Sequence, residues 1–279
     1  MAKYIFVRKP KIINYLFKIV LFILLETSMI FVLLSVNVAF NLKLDVDNIF
    51  SLDIQPFLLT IYFLLLFPDI RKHFFDQFLK NSHKYKVIIF SIIIGVTENL
   101  LIDLSRFIPL MFGNEMIGVG KHQYTSDLNY FPESLDFLFL GLFPGFTEEF
   151  IFRFLPYTLL FIFLSNLRLN KKIDVQEFKT NKDSKIQIQL RRIIDNIYMG
   201  FYIEKKFSYL LVWIILVSIM FSLAHGPDYK TFYLYFVGGV INSVLFLRWG
   251  FLAAMLSHAA FNTFSRSNHI LIEQLFSLY

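Results

Sequence analysis

The stretch LDFLFLGLFPGFTEEFIFRFLPYTLLFIFLSNL, residues 135–167, decides the fold class. A helix that crosses the hydrocarbon core of a bilayer needs about 20 apolar residues. This run exceeds that length, so it reads as membrane-embedded helix with a break. FPGF at 143–146 is the expected break, with Pro144 ending one helix and a new one starting near Gly145. Glu148, Glu149 and Arg153 then sit where charge is least tolerated, at a cost of about 2.5–3.5 kcal/mol each near the bilayer centre.

The rest of the chain has the same character. Its 279 residues are 56% hydrophobic and only 17% charged, and the mean hydropathy is +0.59. That is too little charge to cover a soluble surface, so the composition implies a polytopic membrane protein. With no cysteine in the chain, disulfides and thiolate metal sites are excluded. A net charge of +6 could suggest nucleic acid. The basic residues lie between apolar segments, however, where membrane topology accounts for them and no nucleic-acid partner is implied.

Working outward, candidate spans are Ile19–Phe40, Ile54–Phe67, Val87–Ile108, Leu135–Leu167, Phe207–Leu223, Phe232–Leu247 and Phe251–Phe264. With the fourth divided, the expectation is an all-α membrane bundle of seven or eight transmembrane helices. Residues 1–134 would supply N-terminal membrane helices and 135–279 the functional ones. The basic start (Lys3, Arg8, Lys9, Lys11) leads into an apolar run without a small-residue cleavage site, which suits a signal anchor.

The loop at 168–206 carries ten Lys or Arg against five Asp or Glu, whereas 41–53 has one lysine against three aspartates. The positive-inside rule therefore places the N-terminus and the 168–206 loop in the cytoplasm. Apolar residues at 186, 190, 193, 194, 197 and 201 fit an amphipathic helix on the inner membrane surface or a solvated connector.

Three clusters of polar residues fall on membrane helices. Glu149 and Arg153 are four apart with the acid first, the better orientation for an ion pair. Glu148 points about 100° away from Glu149, free to face something else. The proposed helix start would put both glutamates in a first turn, where the helix dipole favours anions. The second cluster, FSLAHG, places Phe221 and His225 on one face at a helix end that Gly226 and Pro227 terminate. In the third, LSHAAFN, His258 and Asn262 share one face.

Taken singly, each cluster has a structural explanation: a buried ion pair, a capping histidine, an interhelical hydrogen bond worth about 1 kcal/mol. Together they offer a carboxylate base, imidazoles and hydrogen-bond donors, the parts for activating water and stabilising an oxyanion. Neither a G-x-S-x-G elbow nor a Gly-flanked nucleophilic serine is found. TENLLIDLSR (97–106) places Asn99, Asp103 and Arg106 on one face. Asp103 and Arg106 read as a self-neutralised pair or as the lining of a cavity entrance. Glu98 faces elsewhere without an obvious partner.

E-E-x-x-x-R, F-x-x-x-H and H-x-x-x-N, in that order on membrane helices, resemble the CPBP family. These are the CAAX proteases and bacteriocin-processing enzymes, also called the Abi family, which includes type II CAAX prenyl endopeptidases and proteins linked to bacteriocin immunity. The resemblance covers about Leu135 to Arg266. It implies an intramembrane endopeptidase in a multi-pass, prokaryotic cell-membrane protein, acting on a membrane-associated or lipidated peptide or protein. By the same resemblance Glu148 is the base on the attacking water, oriented with His225, and His258 and Asn262 stabilise the oxyanion. Glu149 and Arg153 hold their helix in register, and Phe221 belongs to the second motif.

The family includes descriptions as metalloproteases and as metal-free glutamate proteases. Glu148, His225 and His258 could supply three zinc ligands. Because H-E-x-x-H is absent, water activation by glutamate without a cofactor is the preferred reading. The charge rule puts Glu148 and His225 toward the outer leaflet, whereas CAAX processing needs access from the cytoplasm; either the orientation is inverted, or the protein acts on other substrates, as a bacterial member acting on peptides or membrane proteins would. An idle membrane scaffold that binds a partner through the same fold is the competing reading. A transporter is disfavoured by the lack of an inverted repeat.

Overall fold

In a lipid environment every backbone amide must be satisfied within its own segment, so apolar runs of this length become helices. The computed structural model describes residues 18, 20–21, 54–80, 84–118, 141–169 and 183–276, and all regular structure among them is helical. The first expected span (19–40) falls almost wholly outside the described residues.

Nine α-helices are described, in order: α1 (Ile54–Leu66), α2 (Pro68–Phe78), α3 (Lys84–Phe107), α4 (Phe143–Glu149), α5 (Leu155–Leu169), α6 (Asp183–Tyr198), α7 (Phe207–Ala224), α8 (Phe232–Trp249) and α9 (Phe251–Phe276), a count of the described residues alone. A 3₁₀ turn at Ile108–Phe112 extends α3, and wider π turns at Phe150–Phe154 and Met199–Ile203 follow α4 and α6. Among the described residues four stretches are long and apolar enough to cross a bilayer: Lys84–Phe112, Phe143–Arg168, Phe207–Ala224 and Phe232–Trp249. Pro56–Leu66 is apolar but shorter. The protein is thus an all-α integral membrane protein.

The expected break at Pro144 does not occur. Helical backbone is already running at Gly141 and continues through Pro144 to Leu169. Proline is tolerated there because it occupies the first turn of α4. Glu148 and Glu149 therefore lie beyond the first turn, and the dipole argument for them fails. The irregularity sits instead at the π turn Phe150–Phe154, between the glutamates and the body of α5. Such turns insert one residue into the helical register and re-aim the side chains around them.

α9 is the centre of the bundle. It packs most extensively on α3 and also against α4 and α8. Phe251, Ala253, Ala254, Ala259 and Ala260 are buried along it, so small side chains let neighbouring backbones come close. Since lipid tails are as apolar as leucine, this close packing, rather than exclusion of water, holds membrane helices together. At Gly95 of α3 even a methyl group would collide with the backbone carbonyl of Ser257 on α9. Because α9 is enclosed by other helices, it can carry Ser257, His258 and Asn262 without exposing them to lipid.

Phenylalanines fill the space around the N-terminal end of α9. Phe74 of α2 meets Phe251 at 4.9 Å and Phe154 at 5.1 Å, both edge to face, and Phe146 meets Phe251 at 5.3 Å. Each such pair contributes about 0.5–1.5 kcal/mol beyond simple contact. The cluster fixes the rotation of α4 about its own axis, and with it the direction of the glutamates.

In the 168–206 region the expected helix forms as α6. Arg168 pairs with Asp195 at 2.8 Å and lies over the Tyr198 ring at 4.3 Å, while the Tyr202 hydroxyl donates to the Tyr157 carbonyl at 2.7 Å. Leu190 and Ile193 remain about half exposed (50% and 54%), as an interfacial helix would leave them. Asp103 and Arg106 form the anticipated pair at 2.6 Å, and Asn268 of α9 donates to Asn99 at 2.8 Å.

The Gly95 contact makes a direct prediction. Gly95→Leu should destabilise the detergent-solubilised protein by about 1–3 kcal/mol through overpacking against Ser257, measured by thermal or denaturant unfolding. An exposed control such as Ile93→Leu should leave stability unchanged.

Candidate active site

The site begins with the spacing of four in E-E-x-x-x-R. The Arg153 guanidinium reaches Glu149 Oε1 at 3.0 Å, and both side chains are fully buried. A second Arg153 nitrogen lies 3.4 Å from the Gly239 carbonyl on α8. The guanidinium plane stands 4.2 Å from the Phe221 ring centre on α7, a cation–π contact. One arginine thus joins the π turn, α7 and α8. Gly239 permits this because its Cα is packed against Ser218 of α7, where a Cβ would come within 2.9 Å of the Ser218 Cα and Cβ.

Glu149 has a second partner. Its Oε1 lies 2.9 Å from His258 Nδ1 on α9. A carboxylate can only accept, so Nδ1 carries the proton and Nε2 points away. His225, at the C-cap of α7, is set the same way: its Nδ1–H donates to the Phe221 carbonyl at 2.8 Å. In both histidines the buried acceptor selects the tautomer and turns Nε2 toward the same place.

That place is Glu148. Its Oε2 lies 3.5 Å from His225 Nε2 and 3.6 Å from His258 Nε2. The atom is buried and has no hydrogen-bond partner. The side chain as a whole is 26% exposed, against 0% for Glu149. The two adjacent acids therefore differ physically: Glu149 is sealed inside an ion-pair network, and Glu148 is reachable from one side.

The structure brings together Glu148, Glu149, Arg153, Phe221, His225 and His258 from three separate helical segments. Asn262 is not joined to them. It lies one turn beyond His258 on α9, half-buried, with no hydrogen bond or ion pair to the cluster among the described residues. As for zinc, no group of three or more His, Cys, Asp or Glu side chains among the described residues is arranged to hold a metal ion. Glu148, His225 and His258 nevertheless direct Oε2 and two Nε2 atoms toward one place.

Two neighbours escaped the sequence reading. Glu98 of α3, expected to face elsewhere, is buried, and its carboxylate lies where a Cβ on Gly238 would come within 2.7 Å. It shares the electrostatic field of His258, Glu149 and Arg153. Tyr235 of α8 stacks on the His225 ring at 4.5 Å and 23°. Nothing in the run FYLYF singles it out among 14 tyrosines.

The fold and site define a helical membrane protein with a buried carboxylate–imidazole cluster, half of it sealed and half of it accessible. Comparison with protein families adds that residues 131–264 match the model described as type II CAAX prenyl endopeptidase Rce1-like. That segment holds all three motifs, and over it the chain is similar to the Rce1-like family, in agreement with the resemblance carried by the motifs. No curated protein and no solved structure matches the chain.

The ion pair makes the second prediction. Arg153→Met leaves the Glu149 charge uncompensated and should cost about 3–5 kcal/mol in unfolding free energy. Adding Glu149→Gln should recover most of that loss, since the double variant buries no unpaired charge. Additive losses in the double-mutant cycle would mean that the two side chains are not coupled.

Proposed function

We propose that the protein is an intramembrane endopeptidase that hydrolyses a peptide bond of a membrane-associated or lipidated peptide by glutamate-activated water. The observation that carries this is the Glu148 Oε2 atom, buried, without a hydrogen-bond partner, and approached by two imidazole Nε2 atoms at 3.5 and 3.6 Å. On this reading the attacking water is held by the Glu148 carboxylate and the two imidazoles together. The family match supports the protease class, and its printed description points to a prenylated C-terminal peptide as the first substrate to try.

The chemistry follows from proton positions. Glu148 takes a proton from the water, and the resulting hydroxide adds to the scissile carbonyl carbon. His225, with Nδ1–H on the Phe221 carbonyl, offers Nε2 as an acceptor that orients the water. A second proton on His258 Nε2 makes that ring a donor to the developing oxyanion, and the carboxylate of Glu149 balances its charge. Asn262, one turn further on, is the second donor once substrate occupies the space between them. Collapse of the tetrahedral intermediate breaks the C–N bond. Glu148 returns its proton to the leaving amine, so the carboxylate is regenerated.

In proteoliposomes containing a farnesylated Cys-a-a-X peptide, the wild-type protein should release the C-terminal tripeptide. Glu148→Gln and His225→Ala should each lower kcat/KM by about 10²–10⁴ while helix content and unfolding temperature hold. A folded Glu148→Gln protein that cleaves normally would overturn the reading and leave a partner-binding scaffold.

A further inference from the structure

His225 is carried by a helix end rather than by a helix interior. It sits at the C-cap of α7, outside the last helical turn, with φ −82° and ψ 1°. Gly226 follows in a left-handed conformation at φ 57°. Its Nδ1–H bond to the Phe221 carbonyl fixes one edge of the ring. The torsion that swings an imidazole plane is broad and roughly two-fold. The bond to the Phe221 carbonyl selects where Nε2 points, and contacts on the ring faces must keep it there.

Two aromatic rings do so from either element packed around it. Phe221 lies 4.5 Å from the His225 ring centre at 54°, and Tyr235 lies 4.5 Å away at 23°, close to parallel. Phe221 also contacts His258 at 5.8 Å and carries Arg153 on its face. The chain of contacts Arg153–Phe221–His225–Tyr235 thus continues the buried ion pair to the accessible histidine. Tyr235 extends that chain to α8, where it lies between the buried Leu234 and Gly238.

We propose that Tyr235 is a positioning residue: its ring stacks on the His225 imidazole and keeps Nε2 directed at Glu148. The proposal rests on the assignment of His225 to the hydrolytic site. It requires a flat aromatic face at position 235 and not the hydroxyl.

The test uses the full-length protein in proteoliposomes with the same farnesylated peptide, comparing Tyr235→Phe with Tyr235→Leu. The phenylalanine variant should keep kcat within about threefold. The leucine variant should lose about 10- to 100-fold in kcat, the scale of a misplaced catalytic group, with KM within about twofold. The His225 Nδ1 and Nε2 nitrogen resonances, which report tautomer and hydrogen bonding and are measured by NMR with labelled histidine, should shift in Tyr235→Leu as the Nδ1–H bond to Phe221 loosens and stay in place in Tyr235→Phe. Unchanged kcat or an unchanged resonance in a folded Tyr235→Leu protein would overturn the proposal, as would failure of phenylalanine to rescue. If instead Glu148→Gln cleaves like wild type, the hydrolytic reading fails, and the resonance comparison still decides whether Tyr235 orients His225.

Discussion

The buried contact of Glu149 with Arg153 and His258 is the constraint on which the arrangement depends. Burying one charge in a low-dielectric interior costs several kcal/mol, and an ion pair offsets this only with good geometry and further hydrogen bonds. Here the offset is assembled from three directions: Glu149 Oε1 to Arg153 at 3.0 Å and to His258 at 2.9 Å, and Arg153 to the Gly239 carbonyl at 3.4 Å and to the face of Phe221. His258, Gly239 and Phe221 come from three other helices. Satisfying the charges therefore requires α7, α8 and α9 to be in their native places around the π turn, so electrostatics and packing specify the same structure.

Small residues make that geometry reachable. Gly95 lets α3 touch the backbone of α9 at Ser257, one residue from His258. Gly238 and Gly239 on α8 serve two purposes side by side, one making room for the Glu98 carboxylate and the other bringing the backbone against Ser218 while its carbonyl receives Arg153. The phenylalanine cluster acts on the opposite side of α4, where Phe146, Phe150 and Phe154 meet Phe74 and Phe251. α4 is thus gripped on its apolar face by aromatic packing and on its polar face by ion pairing. Neither grip alone would set the direction of Glu148.

Much of this was legible in the sequence, and the parts that were not have physical reasons. The spacing of four in Glu149–Arg153, Phe221–His225 and His258–Asn262 follows from helical period, so it could be read directly. The convergence of Glu148 with two histidines was an inference from three polar faces needing to hide together. The error at Pro144 came from treating proline as a stop, although it sits in the first turn of α4, where its missing amide costs little. The π turn at 150–154 has no signature in FIFRF and depends on tertiary contacts. Glu98 and Tyr235 were missed for a related reason. Their partners, Gly238 and His225, lie on other helices, and no period within one helix encodes a contact between two. Asn262 was placed with the site by motif spacing, which sets its face on α9 but not the distance to its neighbours.

The adjacency of Glu148 and Glu149 has a consequence that neither residue has alone. Consecutive positions on a helix diverge by about 100°, so a site between helices can enclose one carboxylate and leave the next at its open edge. Glu149 is 0% exposed and Glu148 is 26% exposed. The sealed acid fixes the tautomer of His258 through Nδ1, and that tautomer turns Nε2 back toward the open acid. The first glutamate is thus met by an imidazole whose orientation the second has set. A single glutamate could serve as base or as anchor, but it could not do both, because the anchor must be sealed among its partners and the base must stay reachable from one side. Two adjacent acids separate those demands without any change in backbone, so the costly second charge in FTEEFIFRF has a structural reason to be there.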